Sequence, residues 1–183
     1  MEIYLIRHTT PDIAKGICYG QADLDVTSNF AKEVKNIHSQ VSITNQTKVY
    51  SSPLQRCTKL AETFELPIHK DHRLMEVNFG QWELKSWKDI PKDELDPWMK
   101  DFINIAPPNG ESYKQVQQRV SICFQEIIHS NAHQIVVCTH ATPIRILVAQ
   151  VQQIALENSF EIKVDYGQIF KFIYADNKLV LVS

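Results

Sequence analysis

The sequence predicts an α/β fold, a mainly parallel open sheet with helices on both faces. Three observations predict it. Ile3 to Ile6 and Ile135 to Cys138 are short, unbroken apolar runs, as strands buried on both faces require. The stretches between such runs carry apolar residues every three or four positions, the period of a helix lying on a sheet. Polar, chemically capable residues follow each run at once: Arg7-His8 after the first and Thr139-His140 after the second. In open α/β sheets, ligands bind at those carboxyl ends.

The elements follow in order. After the first strand, Pro11 opens a polar loop in which Gly16 and Gly20 mark turns. Thr27 is placed to cap a helix with apolar positions Phe30, Ala31, Val34, Ile37 and Val41. Lys48-Val49-Tyr50 reads as a short strand. Ser52 then suits a helix N-cap and Pro53 a first helical residue, with Leu54, Cys57, Leu60, Ala61 and Phe64 as the buried face. Pro67 to Lys70 reads as a further strand. Asp71 to Glu83 lacks a clean period and reads as a loop. Trp87 to Met99 reads as short surface helices, and Pro107 to Gly110 as a break.

Glu111 to Asn131 reads as the longest helix, with Tyr113, Val116, Val120, Cys123, Ile127 and Ile128 facing the core and Glu111 favoured at its start by the helix dipole. The Ile135 run follows. Thr142-Pro143 then caps and starts a helix to about Gln152. Ile162 to Val164, Gly167 to Tyr174 and Leu179 to Val182 read as closing strands, the last two joined by a turn at Asp176-Asn177. With 183 residues, no repeats and no long linker, one domain over 1–183 is expected.

Composition narrows the function. A net charge of −2 without a basic block gives no reason to expect nucleic acid or a membrane surface as partner. No apolar run approaches spanning length and Met1 leads straight into a strand, so a cytoplasmic protein is expected. Cys18, Cys57, Cys123 and Cys138 form no C-x-x-C pair and read as reduced core thiols. His69 and His72 lack the companions of a metal site, so no metal is expected.

The strand ends converge on one chemistry. Arg7, His8, Arg56 and His140 would meet along one sheet edge, with helix N-termini behind two of the strands. Arginines offer bidentate contacts and helix ends offer N–H dipoles, the equipment for a dianionic phosphoryl group. A neutral imidazole among them is a nucleophile near neutral pH. Protonating a leaving oxygen needs a carboxylic acid, and Glu76, in the irregular segment, is the best candidate; Glu83 reads as structural.

These residues carry a resemblance. Ile6-Arg7-His8 resembles the R-H-G motif of the histidine phosphatase superfamily, also called phosphoglycerate-mutase-like. Ser52-Pro53-Leu54-Gln55-Arg56 resembles its S-x-x-x-R stretch. Leu74-Met75-Glu76 with Phe79-Gly80-Gln81-Trp82-Glu83 resembles its L-x-E-x-x-F-G-x-W-E segment. Asn109-Gly110-Glu111-Ser112 resembles G-G-E-S, and Thr139-His140-Ala141-Thr142-Pro143-Ile144-Arg145 resembles S-H-G-G-x-I-R. The resemblance implies a metal-independent phosphatase without a cofactor. His8 would become phosphohistidine; Arg7, Arg56 and His140 would bind the phosphoryl group; Glu76 would be proton donor and then base.

Two departures stand out. Thr9 replaces the usual Gly, and Ala141-Thr142 the usual Gly-Gly. A β-branched residue limits backbone freedom, so a reshaped pocket is expected. The stretch from Arg7 to Pro11, with Gly16 to Asp23, is similar to the α-ribazole phosphatase branch. That branch removes a 5′-phosphate from a nucleotide-like precursor of the cobalamin lower ligand. Thr9, Tyr19, Gln21 and Ala141 are the expected substrate contacts. The partner expected is a small phosphate ester, and a homodimer stays open. The alternatives are a broad small-molecule phosphatase or phosphoglycerate mutase and, from another class, an inactive phospholigand-binding protein.

Overall fold

The computed structural model describes residues 1–182. Six strands form one sheet: β1 (Glu2–Arg7), β2 (Lys48–Ser51), β3 (Ile68–Lys70), β4 (Gln134–Thr139), β5 (Ile169–Ala175) and β6 (Lys178–Leu181), in the order β3-β2-β4-β1-β5-β6. Strands β1 to β4 pair in parallel, while β5 and β6 run antiparallel at one side. Five helices accompany them: α1 (Phe30–His38), α2 (Gln55–Glu62), α3 (Lys92–Lys100), α4 (Tyr113–Ile128) and α5 (Ala141–Gln152).

The pleat explains why the central strands are apolar throughout. Side chains alternate faces along a strand. Ile3 and Leu5 of β1 join Ile135 and Val137 of β4 in a core under α4 and α5. Tyr4 and Ile6 join Val136 and Cys138 in a second core with Ile37 of α1 and Leu60 of α2. Each run therefore serves two cores at once. A third cluster stands apart, built on Cys18, Trp82 and Ile90 with Trp87, Leu95 and Trp98 against it.

Several boundaries differ from those expected, each for a local reason. Thr27 does not cap α1 with its hydroxyl; its carbonyl accepts the Phe30 N–H, and the N-cap is Asn29. Helix α2 begins at Gln55 rather than Pro53, because Leu54 is extended and is itself the N-cap; the Ser52 hydroxyl accepts the Leu54 N–H at 3.4 Å and also meets His140. Helix α4 begins after Ser112, which forms a reciprocal capping box with Gln115. Glu111 thus lies outside that helix and pairs with Arg119 instead. His140, not Thr142, is the N-cap of α5. Ile162 to Val164 is not a strand but the extended exit from a 3₁₀ turn at Leu156–Glu161. The expected turn at Asp176-Asn177 is present, with φ of 51° and 58°, the left-handed pair of a type I′ hairpin.

Candidate active site

Register brings the reactive residues together. In the parallel pairing Arg7 lies opposite Thr139 and Ser51 opposite Cys138. The His8 N–H donates to the Thr139 carbonyl at 3.0 Å, and the Ser52 N–H to the Cys138 carbonyl at 3.0 Å. The ends of β1, β4 and β2 are thereby level, and His8, Ser52 and His140 emerge side by side. All three are buried.

His8 is oriented by its own neighbour. Its Nδ1 lies 2.7 Å from the Thr9 carbonyl, which only accepts, so Nδ1 carries the proton and Nε2 holds the lone pair. The Nε–H of Arg56 points at that Nε2 from 3.3 Å. Burial, then the charges of Arg56 and Arg7, hold the His8 imidazole well below the ordinary histidine value. A neutral, aimed imidazole is a competent nucleophile.

His140 packs edge-on against His8, with ring centroids 5.0 Å apart. Its Nε2 lies 2.8 Å from the Ser52 hydroxyl and 3.4 Å from Cys57 Sγ. Burial first, and then Arg56, also push His140 well down. Burial pushes the Cys57 thiol up to about 12, so it stands beside His140 as a neutral packing group.

Two arginines complete the polar floor. Arg56, fully buried, donates Nη1 to the Ala22 carbonyl at 2.8 Å and Nη2 to the Gly20 carbonyl at 2.5 Å. Arg7 donates Nη1 to the Val164 carbonyl at 2.6 Å, while its Nε is buried with no partner among the described residues. A buried donor left unpaired is costly, and an anion held between the arginines is what would satisfy it. The Tyr166 ring lies 3.8 Å from the Arg7 guanidinium carbon, and its hydroxyl meets that of Tyr19 at 2.6 Å. Burial and then this contact push the Tyr19 phenol up.

Glu76 faces this floor from the irregular segment. One carboxylate oxygen accepts the Val77 N–H at 2.9 Å and the other the Thr142 N–H, in the first turn of α5, at 3.3 Å. Arg119 donates to the carbonyls of Arg73, Met75 and Glu76, each at 2.8 Å, and so fixes the chain on either side of Glu76.

Arg7, His8, Tyr19, Glu76 and Ala141 all line one cavity of 260 Å³. An aromatic wall of Phe79, Trp87, Trp98, Phe102 and Phe160 also lines it, with Arg145 beside Phe160. Not every expected residue reaches this space: Arg56 and His140, both fully buried, touch His8 but are not among the lining residues. Gln21 turns its amide to the Glu76 carbonyl at 3.0 Å, outside the cavity lining. Thr9 is buried behind His8, with its hydroxyl unpartnered. Neither Thr9 nor Ala141-Thr142 takes positive φ, so their replacement of glycine strains nothing; Asn109, with φ of 58°, does occupy a position that favours glycine. Tyr166 was not legible in the sequence, because it belongs to an irregular segment with no period. No group of three or more His, Cys, Asp or Glu is placed to hold a metal ion among the described residues. No helix among them is long and apolar enough to cross a membrane.

The chain is similar to known proteins in sequence and in fold. The sequence model of the histidine phosphatase superfamily (branch 1) matches residues 3–183. The adenosylcobalamin/alpha-ribazole phosphatase of Escherichia coli (strain K12) is 26% identical over 176 residues, covering 91% of this chain and 87% of that protein. Its namesake from Salmonella typhimurium is 24% identical over 177 residues, covering 91% and 87%. Among solved structures, the alpha-ribazole phosphatase of Shigella flexneri superposes with a TM-score of 0.90 at 23% identity, over 100% of this chain and 95% of that one. That likeness shows the shared fold.

Proposed function

Since the chain belongs to branch 1 of the histidine phosphatase superfamily, we propose that it hydrolyses α-ribazole 5′-phosphate through a phosphohistidine on His8. Nε2 of His8 attacks phosphorus and the P–O bond to the ribose 5′-carbon oxygen breaks. Glu76, protonated, gives its proton to that oxygen. The ribazole leaves, water attacks phosphorus as Glu76 takes its proton, and the P–N bond to His8 breaks. Inorganic phosphate departs and His8 is neutral again. Arg7 and Arg56 hold the equatorial oxygens, and His140 supplies a proton's worth of charge as negative charge develops.

The observation that carries the substrate is the cavity. Its lining joins the polar His8 and Glu76 to Trp87, Trp98, Phe102 and Phe160, whose rings pack on one another. Flat aromatic walls stack flat heteroaromatic bases, at about 1–3 kcal/mol per stacked ring. A ribose 5′-phosphate bearing a benzimidazole fits that polarity along its length.

One residue favours a second reading. Arg145 lines the same wall, its guanidinium carbon 5.3 Å from the Phe160 ring centre and its Nε on the Ile162 carbonyl at 3.1 Å. A cation there suits an ester whose alcohol carries a carboxylate, such as phosphoglycerate.

Kinetics on α-ribazole 5′-phosphate, phosphoglycerate, a sugar phosphate and a nucleotide, with Phe160→Ala and Arg145→Met, separate the readings. The first predicts the highest kcat/KM on α-ribazole 5′-phosphate, lowered roughly 10-fold by Phe160→Ala. A preference for phosphoglycerate that Arg145→Met abolishes would replace it with the second.

A further inference from the structure

Glu83 lies outside the cavity lining, yet its carboxylate collects four main-chain N–H groups. One oxygen accepts from Gly20 at 2.9 Å and Ala22 at 3.0 Å. The other accepts from Gln21 at 2.9 Å and Phe79 at 3.0 Å. Three successive amides of one loop thus converge on a single anion, a concave arrangement of donors of the kind that ordinarily binds a free ligand.

The same loop residues face the other way with their carbonyls. Gly20 and Ala22 accept the two terminal nitrogens of Arg56, and the third nitrogen of that guanidinium is the one aimed at His8. The loop is pressed close from behind as well: a Cβ on Gly20 would fall 1.8 Å from the Val77 carbonyl oxygen. Nothing larger than glycine fits there. The peptide plane joining Gly20 to Gln21 is therefore held on both sides, its N–H on Glu83 and its carbonyl on Arg56, and the flanking Gly20 and Ala22 amides tie the loop to the same carboxylate.

We infer that Glu83 is a positioning residue for phosphoryl transfer, acting through the 20–22 loop to set the plane of Arg56. Without it, three amides lose their acceptor and the two carbonyls that fix the guanidinium are free to turn. Arg56 has five N–H bonds. Two are spent on the loop and one is directed at His8, which leaves one on each terminal nitrogen for phosphoryl oxygens. A tilt of the plane removes both at once. Glu83 touches neither the nucleophile nor the phosphoryl group, so its effect on the transferred group travels through Arg56. The inference rests on phosphoryl transfer at His8 and is independent of which alcohol leaves.

The test is a double-mutant cycle of Glu83→Gln with Arg56→Ala, read by vanadate affinity and by turnover of p-nitrophenyl phosphate and an alkyl phosphate. Glu83→Gln should weaken vanadate roughly 10-fold or more and slow both substrates by a similar factor, as for a misdirected charge-stabilising donor. Added to Arg56→Ala it should cost less than about 2-fold further, because coupled residues are not additive. Full additivity, unchanged vanadate affinity, or a loss confined to the alkyl phosphate would each overturn the inference, the last by making Glu83 an acid. Thermal unfolding checks that the variant is folded. If it is not, Glu83→Asp keeps the charge but, one methylene shorter, cannot reach all four amides, and the same cycle applies. Vanadate binding by the wild type tests the premise separately: failure there removes the phosphoryl site itself and not merely this role.

Discussion

The Nε–H of Arg56 is directed at the lone pair on Nε2 of His8 across 3.3 Å. A permanent cation therefore sits on the nucleophilic atom. Burial first, and then this cation, keep the imidazole unprotonated, and the cation must release it as a phosphoryl group arrives. The first prediction follows from that atom. Brief reaction with labelled substrate should leave an acid-labile, base-stable phosphate on His8, and His8→Ala should lose at least roughly 10³-fold in rate. Full activity in His8→Ala, or label on Ser51 or Ser52, would refute it.

Arg56→Ala should weaken vanadate inhibition and slow turnover by about 10²-fold or more, the scale for one lost charge-stabilising donor. Burial makes a folding control necessary, since Arg56 also ties the carbonyls of Gly20 and Ala22. A folded variant with unchanged vanadate affinity places the residue outside the phosphoryl site.

Glu76→Gln should be severely slowed on ribose 5′-phosphate esters, whose alkoxide needs a proton, and much less on p-nitrophenyl phosphate, whose leaving group departs unaided. The comparison is made at saturating substrate in stopped assays of both esters. Equal losses would remove Glu76 from the role of acid.

Both buried histidines carry a pH consequence. Their folded pKa values lie well below the ordinary 6.5. Between that value and the folded pKa the unfolded chain binds the extra protons, so stability falls as pH drops below about 6.5 and gains nothing from these groups above it. Each contributes a slope of about 1.4 kcal/mol per pH unit in that window. Denaturant unfolding from pH 7.5 to 5 should show the decline, and His140→Gln should make it shallower by about one proton. An unaltered slope would mean that His140 is protonated in the folded empty site.

Ligand binding should run the titration the other way. A dianion beside His8 and His140 favours their charged forms, so vanadate or phosphate should bind with net proton uptake between pH 6 and 7.5. Calorimetry in buffers of different ionisation enthalpy measures it directly. Zero uptake throughout would show that no histidine changes its charge on binding.

The sheet and its site were legible because their signals are local. An apolar run followed at once by Arg7-His8 or Thr139-His140 states both a strand and its chemical end. The face of α4 was equally clear, since its apolar residues from Tyr113 to Ile128 recur with helical spacing and are buried as that spacing predicts. What failed to show were the partners of polar side chains. Ser52 has the sequence signature of a cap, but its hydroxyl holds the Leu54 N–H ahead of the helix and is shared with a histidine 88 residues away. Glu111 looks like a dipole-favoured helix start, but Arg119 takes its carboxylate. Tyr166 covers Arg7 from a segment without periodicity. Such pairings are settled by tertiary contact, and no window of sequence contains both members.

The tryptophan part of the aromatic wall rests on its own foundation. Trp87 and Trp98 lean on Cys18, Trp82 and Ile90, which belong to neither core that grips the sheet, and the partly buried Phe79 bridges to one of them. Two inheritances are thereby separated within one chain. Substitutions that reshape the wall leave the strands and the histidines where they were, so a lineage can exchange the molecules it dephosphorylates while keeping the reaction intact. An engineer can do likewise, replacing Trp87 and Trp98 while Glu83 and the sheet stay unchanged.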